Sequence, residues 1–377
     1  MSLLFNEEQI LLRNTVREFA ENEVAPRMPE ILKTNEFPRN LYKRAGELGF
    51  WRLNIPEKHG GFGKGMVETC IVMEELAKVS PAMSLVVEIG IVDIPLLLEE
   101  PALYKYLEPC MSGDKILSGA ATDPKGQSNS AEWEPLAVKD GNEWVLNGTR
   151  LYNTNNLSDI HMTLGLTQDR EMKAFFIEKG TPGYDNSRVD LKYGMAGSGG
   201  GTTIYKDCRI PLEMACNVGI GDSQFYYRIY NNCAAEALGC AEGILEKTIK
   251  FCKLRTHDFK PLTSLQVVSQ KLGYLRTLVE VAHSAVYDAA TMFDELCKNH
   301  DPELERAWAI KAESIKLFVS ETAVKVATEC IKLHGGMGYH NPELHHYVGD
   351  AMCYCIMDLS NDIHWDNLAL LMGLTEG

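Results

Sequence analysis

The hydrophobic period of this 377-residue sequence changes twice, and those two changes constrain the fold more than any single motif. From Asn6-Glu7-Glu8-Gln9, an N-cap followed by a Gln able to bond back, apolar residues Ile10, Leu11, Val16, Phe19 and Ala20 recur at helical spacing until Pro26. Helical patterns return after Phe37-Pro38, at Met66–Ala77 and around Ile91–Leu98. The Gly-rich run from Ile55 to Gly63 between them reads as a loop. Residues 1–115 therefore read as an all-helical domain. After Gly113 the texture becomes that of strands. Asp140-Gly141 and Asn147-Gly148 are tight-turn dipeptides flanked by β-formers, and Phe175–Ile177, Thr202–Tyr205 and Cys208–Pro211 are short strand candidates. Residues 116–222 read as an antiparallel β domain, barrel or sandwich. From Ser223 four long helical segments (223–254, 265–298, 302–334 and 350–373) with short connections predict a C-terminal four-helix bundle over 223–377. The fold class is α+β, in the order α, β, α.

Charge narrows the partners. With 37 Lys and Arg against 52 Asp and Glu, the net charge of −15 opposes binding to nucleic acid. The most apolar stretch, Ser84 to Leu98, carries Glu88 and Asp93 and is not expected to span a membrane. Eleven cysteines form no paired framework. Met1-Ser2-Leu3-Leu4 runs straight into Asn6-Glu7-Glu8, so free thiols in a cytoplasmic protein are expected. Two Glu-x-x-His pairs, Glu280/His283 and Glu343/His346, fall in predicted helices as a di-iron site would need. No partner Glu accompanies them, and no metal site is expected. Gly197-Ser198-Gly199-Gly200-Gly201 sits among strands without a following helix, which argues against a nucleotide fingerprint.

Seven further segments, in order, carry a resemblance: Phe37-Pro38, Leu48-Gly49, Ile55-Pro56-Glu57 with Gly60-Gly61 and Gly63, Leu146-Asn147-Gly148-Thr149, Arg209-Ile210-Pro211, Arg255 with Pro261-Leu262 and Gln266, and Leu333-His334-Gly335-Gly336-Met337-Gly338-Tyr339. Together they resemble the acyl-CoA dehydrogenase family over nearly the whole chain. The resemblance implies a helical N-terminal domain, a β-barrel and a four-helix bundle. It also implies FAD held between barrel and bundle and across a subunit interface, in a homotetramer or a heterotetramer with a related subunit.

The family's motifs carry over with departures. Thr122-Asp123-Pro124 and Ser128-Asn129 stand where the family has Thr-Glu-Pro and Gly-Ser-Asp, so Thr122 and Ser128 are expected to hold the flavin edge and pyrophosphate. Tyr152-Asn153-Thr154-Asn155 replaces Trp-Ile-Thr-Asn, which sets the Tyr152 ring beside the flavin and Thr154 near its N5 side. Arg255 matches the Arg that reaches a neighbour's FAD diphosphate, although Asp258 and Phe259 replace its usual Phe-Gly companions. His334 with Gly335-Gly336 would let backbone amides approach the same pyrophosphate. Without the resemblance, these segments read as a polar turn, a strand aromatic and a helix cap.

The resemblance implies a carboxylate base that takes the substrate's α-proton while the β-hydrogen leaves as hydride to the flavin. At the usual Glu-Gly-Thr stands Asp358-Leu359-Ser360, and at the alternative base position of a second lineage stand Ile229 and Tyr230, which cannot serve. Asp358 is the expected base. Glu88 and Asp93 are further catalytic candidates, because relatives acting on alicyclic acyl-CoAs use an acid of this region to remove a more remote proton. The activity implied is α,β-desaturation of an unusual acyl-CoA, or the reverse enoyl-CoA reduction, with an electron-transfer flavoprotein as acceptor. The alternative is a catalytically degenerate subunit acting as a structural or CoA-binding partner.

Overall fold

The computed structural model describes residues 5–126, 130–218, 223–299 and 301–375. Helix α1 (Glu7–Phe19) opens on the expected capping box: the Gln9 amide donates to Asn6 Oδ1 at 2.9 Å, and the Asn6 amide to Gln9 Oε1 at 3.0 Å. There follow α2 (Met28–Thr34), α3 (Arg39–Glu47), α4 (Met66–Ala77), α5 (Pro81–Asp93) and α6 (Tyr104–Met111). The Ser80 hydroxyl caps α5, accepting from the Met83 amide at 3.1 Å, and Pro81 fills the first turn. α5 is apolar all round. The window Pro81–Leu98 has a mean hydropathy of 1.9, yet α5 is enclosed by protein, as such a helix must be when it forms a core.

Eight strands follow: β1 (Leu117–Ala120), β2 (Ala137–Asp140), β3 (Glu143–Asn153), β4 (Ile160–Leu166), β5 (Met172–Glu178), β6 (Tyr184–Val189), β7 (Gly201–Pro211) and β8 (Ala215–Asn217). They form two four-stranded sheets, β1-β4-β5-β8 and β2-β3-β7-β6, with no closed ring among the described residues. Pairing is antiparallel apart from β1 and β4, which run parallel. The Asp140↔Glu143 pair closes the β2–β3 hairpin, as its Asp-Gly predicts. The Asn147-Gly148 turn is corrected: this dipeptide is a bulge inside β3, where the register shifts between Leu146 and Gly148 and Asn147 Oδ1 accepts from the Asp207 amide. Likewise, Thr202–Tyr205 and Cys208–Pro211 belong to one strand, β7.

The bundle is built from α7 (Ser223–Leu254), a small hairpin of β9 (Thr256–His257) and β10 (Lys260–Pro261), α8 (Gln266–Lys298), α9 (Pro302–His334), the short α10 (Gly336–His340), α11 (Pro342–Tyr354) and α12 (Asn361–Leu371). The fourth segment is corrected: 350–373 is not one helix but breaks between Tyr354 and Asn361, so the fourth column is α11 followed by α12. Asp358 lies in that break.

Charged contacts tie the helical parts together. Asp294 of α8 accepts from the first amides of α4, Met66 N at 2.6 Å and Val67 N at 3.1 Å. Lys78 after α4 pairs with Glu74, Glu75 and, from α7, Glu242 at 2.8 Å. The glycine-rich 197–201 run packs against the N-terminal helices, where the Gly197 amide donates to Asn35 Oδ1 at 3.0 Å.

Candidate active site

The α11–α12 break owes its shape to two residues in the left-handed region, Asp358 (φ 53°) and Leu359 (φ 75°). Buried side chains beneath pin it. Lys316 of α9, fully buried, donates to the Leu359 carbonyl at 2.8 Å and to Asn361 Oδ1 at 2.9 Å. His364 of α12 donates from Nε2 to the Asp358 carbonyl at 2.9 Å, while its Nδ1 meets the buried Glu313 carboxylate. Held this way, Asp358 keeps Oδ2 out of water and without a hydrogen-bond partner. Burial pushes its carboxyl up to about 6, against the lowering pull of Lys316 and His364.

Three more buried carboxyls lie nearby, Glu88 and Glu236 within charge reach of Asp358 and Asp93 within reach of Glu88. Glu88 of α5 is buried and accepts from the Asn232 amide at 3.2 Å; burial, then the Asp358 charge, push it well above the carboxylate range. Glu236 of α7 is wholly buried and is pushed up by burial and by Glu88. It lies beside the Ser84 hydroxyl, but that hydroxyl donates to the Met73 carbonyl at 2.9 Å, and both Glu236 oxygens lack a partner. Asp93 at the end of α5 is raised by burial to about 8. Its Oδ2 faces Gly119 of β1 so closely that a Cβ there would lie 2.2 Å away, which only glycine permits. The structure thus brings Asp358, Glu88 and Asp93 into one region and adds Glu236.

The strand residues gather at the adjoining edge of the β domain. Bridges pair Thr122 with Leu151 and Gly119 with Thr154, so Thr122, Tyr152 and Thr154 stand side by side. Asn155 staples this edge to α5 and β1, donating to the Val86 and Leu117 carbonyls at 3.3 Å each. Tyr152 takes φ 60° and leaves its ring 76% exposed, so it is not a core aromatic. Asp123 of the same turn is structural, pairing with the buried Arg150 at 2.9 Å. Ser128 lies outside the described residues.

Arg255, His334, Gly335 and Gly336 meet at one end of the bundle, where α7 and α9 finish. Arg255 is exposed, and Asp258 and Phe259, both at positive φ, turn the β9–β10 hairpin with Phe259 fully exposed at its tip. His334 points inward instead of to the turn surface: it stacks on Phe251 at 4.2 Å and shares a 3.1 Å hydrogen bond with Thr248, and burial lowers its pKa. Gly335 (φ 62°) and Gly336 have open space where a side chain would stand, leaving their backbone approachable.

The rival metal residues go elsewhere. His283 tilts against Tyr287, and His346 bonds Asp350 at 2.7 Å. Among the described residues no group of three or more His, Cys, Asp or Glu side chains is placed to hold a metal ion.

A helical front, two sheets and a bundle with a broken fourth column form the fold of an oxidoreductase class that acts on CH–CH bonds, shared with a solved chain that superposes with a TM-score of 0.91. The chain belongs to the acyl-CoA dehydrogenase family: the family's N-terminal domain description matches residues 6–114 and its C-terminal domain description residues 231–372. It is 31% identical over 348 residues to an acyl-CoA dehydrogenase of Bacillus subtilis (strain 168), covering 88% of this chain and 89% of that one. It is 30% identical to the cyclohex-1-ene-1-carbonyl-CoA dehydrogenase of Syntrophus aciditrophicus (strain SB), covering 88% and 82%. A solved chain from work on the electron transferring flavoprotein of Acidaminococcus fermentans superposes with a TM-score of 0.89 at 25% identity, covering 99% of each chain.

Proposed function

We propose that the protein is an FAD-dependent acyl-CoA dehydrogenase, desaturating an unusual acyl-CoA between its α and β carbons or reducing the corresponding enoyl-CoA. The observation that carries this reading is Asp358: a carboxylate with a buried, unpartnered oxygen and a pKa near 6, held on a rigid break by Lys316 and His364. A base must be ionised at working pH yet basic enough to help, and burial supplies that compromise. Asp is one methylene shorter than Glu, a retreat of about 1.5 Å that suits a differently placed α-carbon.

Bound FAD would supply the hydride acceptor. The residues fit it: Thr122 and Thr154 stand on one strand edge, Tyr152 turns an exposed ring outward beside them, and Gly335 and Gly336 leave backbone open to a diphosphate. Arg255 and that glycine turn would serve a neighbouring subunit's cofactor, so we read the enzyme as a tetramer. Electron delivery to an electron-transfer flavoprotein accords with the solved relative, and eleven unpaired cysteines with a cytoplasmic setting.

A second reading makes Asp93 the base for a proton further from the thioester. Its unpartnered Oδ2 beside Gly119, next to Thr154, favours it, as does the cyclohexene-carbonyl relative. The test begins with the visible spectrum and FAD content of the purified protein, expected at about one FAD per subunit. Asp358→Asn should then keep FAD and acyl-CoA binding while turnover falls by ~10²–10⁴. Full activity in Asp358→Asn with loss in Asp93→Asn would transfer the role to α5. A colourless protein that takes up no added FAD would favour a degenerate subunit instead.

A further inference from the structure

Beyond the base, the carboxyl cluster holds buried oxygens that nothing in the fold satisfies. Among the described residues, both oxygens of Glu236, Oδ1 of Asn232, the Tyr354 hydroxyl, and Oδ2 of Asp93 and of Asp358 have no hydrogen-bond partner. Glu236 and Tyr354 are wholly buried, and Asn232 is 2% exposed. Glu236 and Asn232 lie one turn apart on α7, and the Asn232 amide is spent on Glu88 of α5. Glu236 lies beside Ser84, one turn before Glu88 on α5, and is also the strongest charge acting on the Tyr354 hydroxyl. Glu88 of α5 and Glu236 of α7 therefore lie within charge reach of the proposed base, and the Tyr354 hydroxyl at the end of α11 lies within reach of Glu236.

Native interiors rarely leave such atoms unpaired, so a cluster of them calls for a ligand. A plain alkyl chain would bury all of them unsatisfied. The Asn232 carbonyl only accepts, and the Glu236 carboxyl, held toward its protonated form by burial, keeps a free acceptor oxygen beside its own O–H, so the complementary ligand is one that donates.

We propose that this cluster of unpartnered oxygens recognises an acyl group bearing a hydrogen-bond donor, a hydroxyl or an amine, several carbons from the thioester, with Glu236 as the specificity-determining residue. This rests on the acyl-CoA reading above. Sites built to bond a substrate OH or NH reject the analogue lacking it by as much as ~10⁴-fold, and a single carboxylate contact is expected to give about 100-fold.

The test is calorimetric titration of the FAD-loaded protein with hexanoyl-, 6-hydroxyhexanoyl- and 6-aminohexanoyl-CoA and their four-carbon counterparts. Wild type should bind at least one donor-bearing chain about 100-fold more tightly than the alkyl chain of equal length; which one wins separates hydroxyl from amine. Glu236→Leu should abolish that preference. Glu236→Gln, which keeps size and one acceptor oxygen, guards against a folding defect, is checked by thermal melting, and should weaken the preference. Equal binding of alkyl and donor-bearing chains by wild type overturns the proposal, as does a preference that survives in both variants. A binding preference without flavin reduction by any of these thioesters would uphold it and strike the dehydrogenase reading instead. Binding of none of them overturns both.

Discussion

Asp358 sits where burial and charge oppose each other, and the balance has a measurable sign. Burial raises its carboxyl to about 6, while Lys316 and His364 pull it down. A base works ionised, so turnover should rise with pH through a midpoint near 6 and level above it. Lys316→Met removes the buried cation and should move that midpoint upward. A midpoint in kcat against pH that stays put in Lys316→Met would show that another group titrates. Gly119 offers a second residue-scale test. A methyl there would lie 2.2 Å from Asp93 Oδ2 and must displace that carboxylate. Gly119→Ala should therefore cut turnover at least ~10-fold, by the sensitivity of proton transfer to ångström shifts, if Asp93 takes part. If Asp358 acts alone, kcat should hardly change, and single-turnover flavin reduction reads the difference.

At the scale of elements, the long helices were legible because their apolar spacing is regular: the expected 265–298 is α8 at Gln266–Lys298, and 302–334 is α9. The break at 355–360 was not. Apolar Ile356, Met357, Leu359 and Ile363 carry helical spacing straight across it, and no Gly or Pro marks it. What breaks the helix is tertiary: Lys316 and His364, distant in sequence, bond the loop's carbonyls. Glu236 was hidden for a similar reason. It lies in Cys233-Ala234-Ala235-Glu236-Ala237, where the sequence shows a helix but not which face α5 covers. The resemblance located Asp358 through Glu-Gly-Thr, and the geometry gives that motif a physical reading, since its Gly falls on Leu359 at φ 75°. A left-handed residue other than Gly costs ~1–2 kcal/mol, and a more flexible unfolded chain returns part of it. Leu359→Gly should therefore be neutral or up to ~1 kcal/mol more stable by urea unfolding. A loss beyond ~1 kcal/mol would show that the Leu359 side chain packs more tightly than its strain costs.

Across the whole molecule, the N-terminal helices and the bundle are joined through buried charge. Lys78 lies between Glu74 and Glu75 of α4 and Glu242 of α7, and the Tyr287 hydroxyl of α8 donates to Glu74 at 2.6 Å. Burial raises Glu74 to about 7 despite Lys78, whereas Glu242, although also buried, is drawn down to about 2 by Lys78 and Arg276. Removing one partner of such a network leaves like charges facing each other out of water, at about 3–5 kcal/mol. Lys78→Met should lose that much stability at pH 8. The pH dependence then separates electrostatics from lost packing. A carboxyl whose folded pKa is raised favours the folded state while protonated, and that contribution is lost as pH climbs from its unfolded value to its folded one. For wild-type Glu74 this window runs from about 4.5 to about 7. Without the ammonium, Glu74 and Glu242 must both titrate higher, so the variant keeps losing stability at pH values where wild type has levelled off. The deficit of Lys78→Met relative to wild type should therefore shrink as pH falls from 8 to 5.5, measured by urea unfolding at both. An equal deficit at the two pH values would mean that Lys78 joins the α4–α7 contact through its hydrocarbon stem and not its charge.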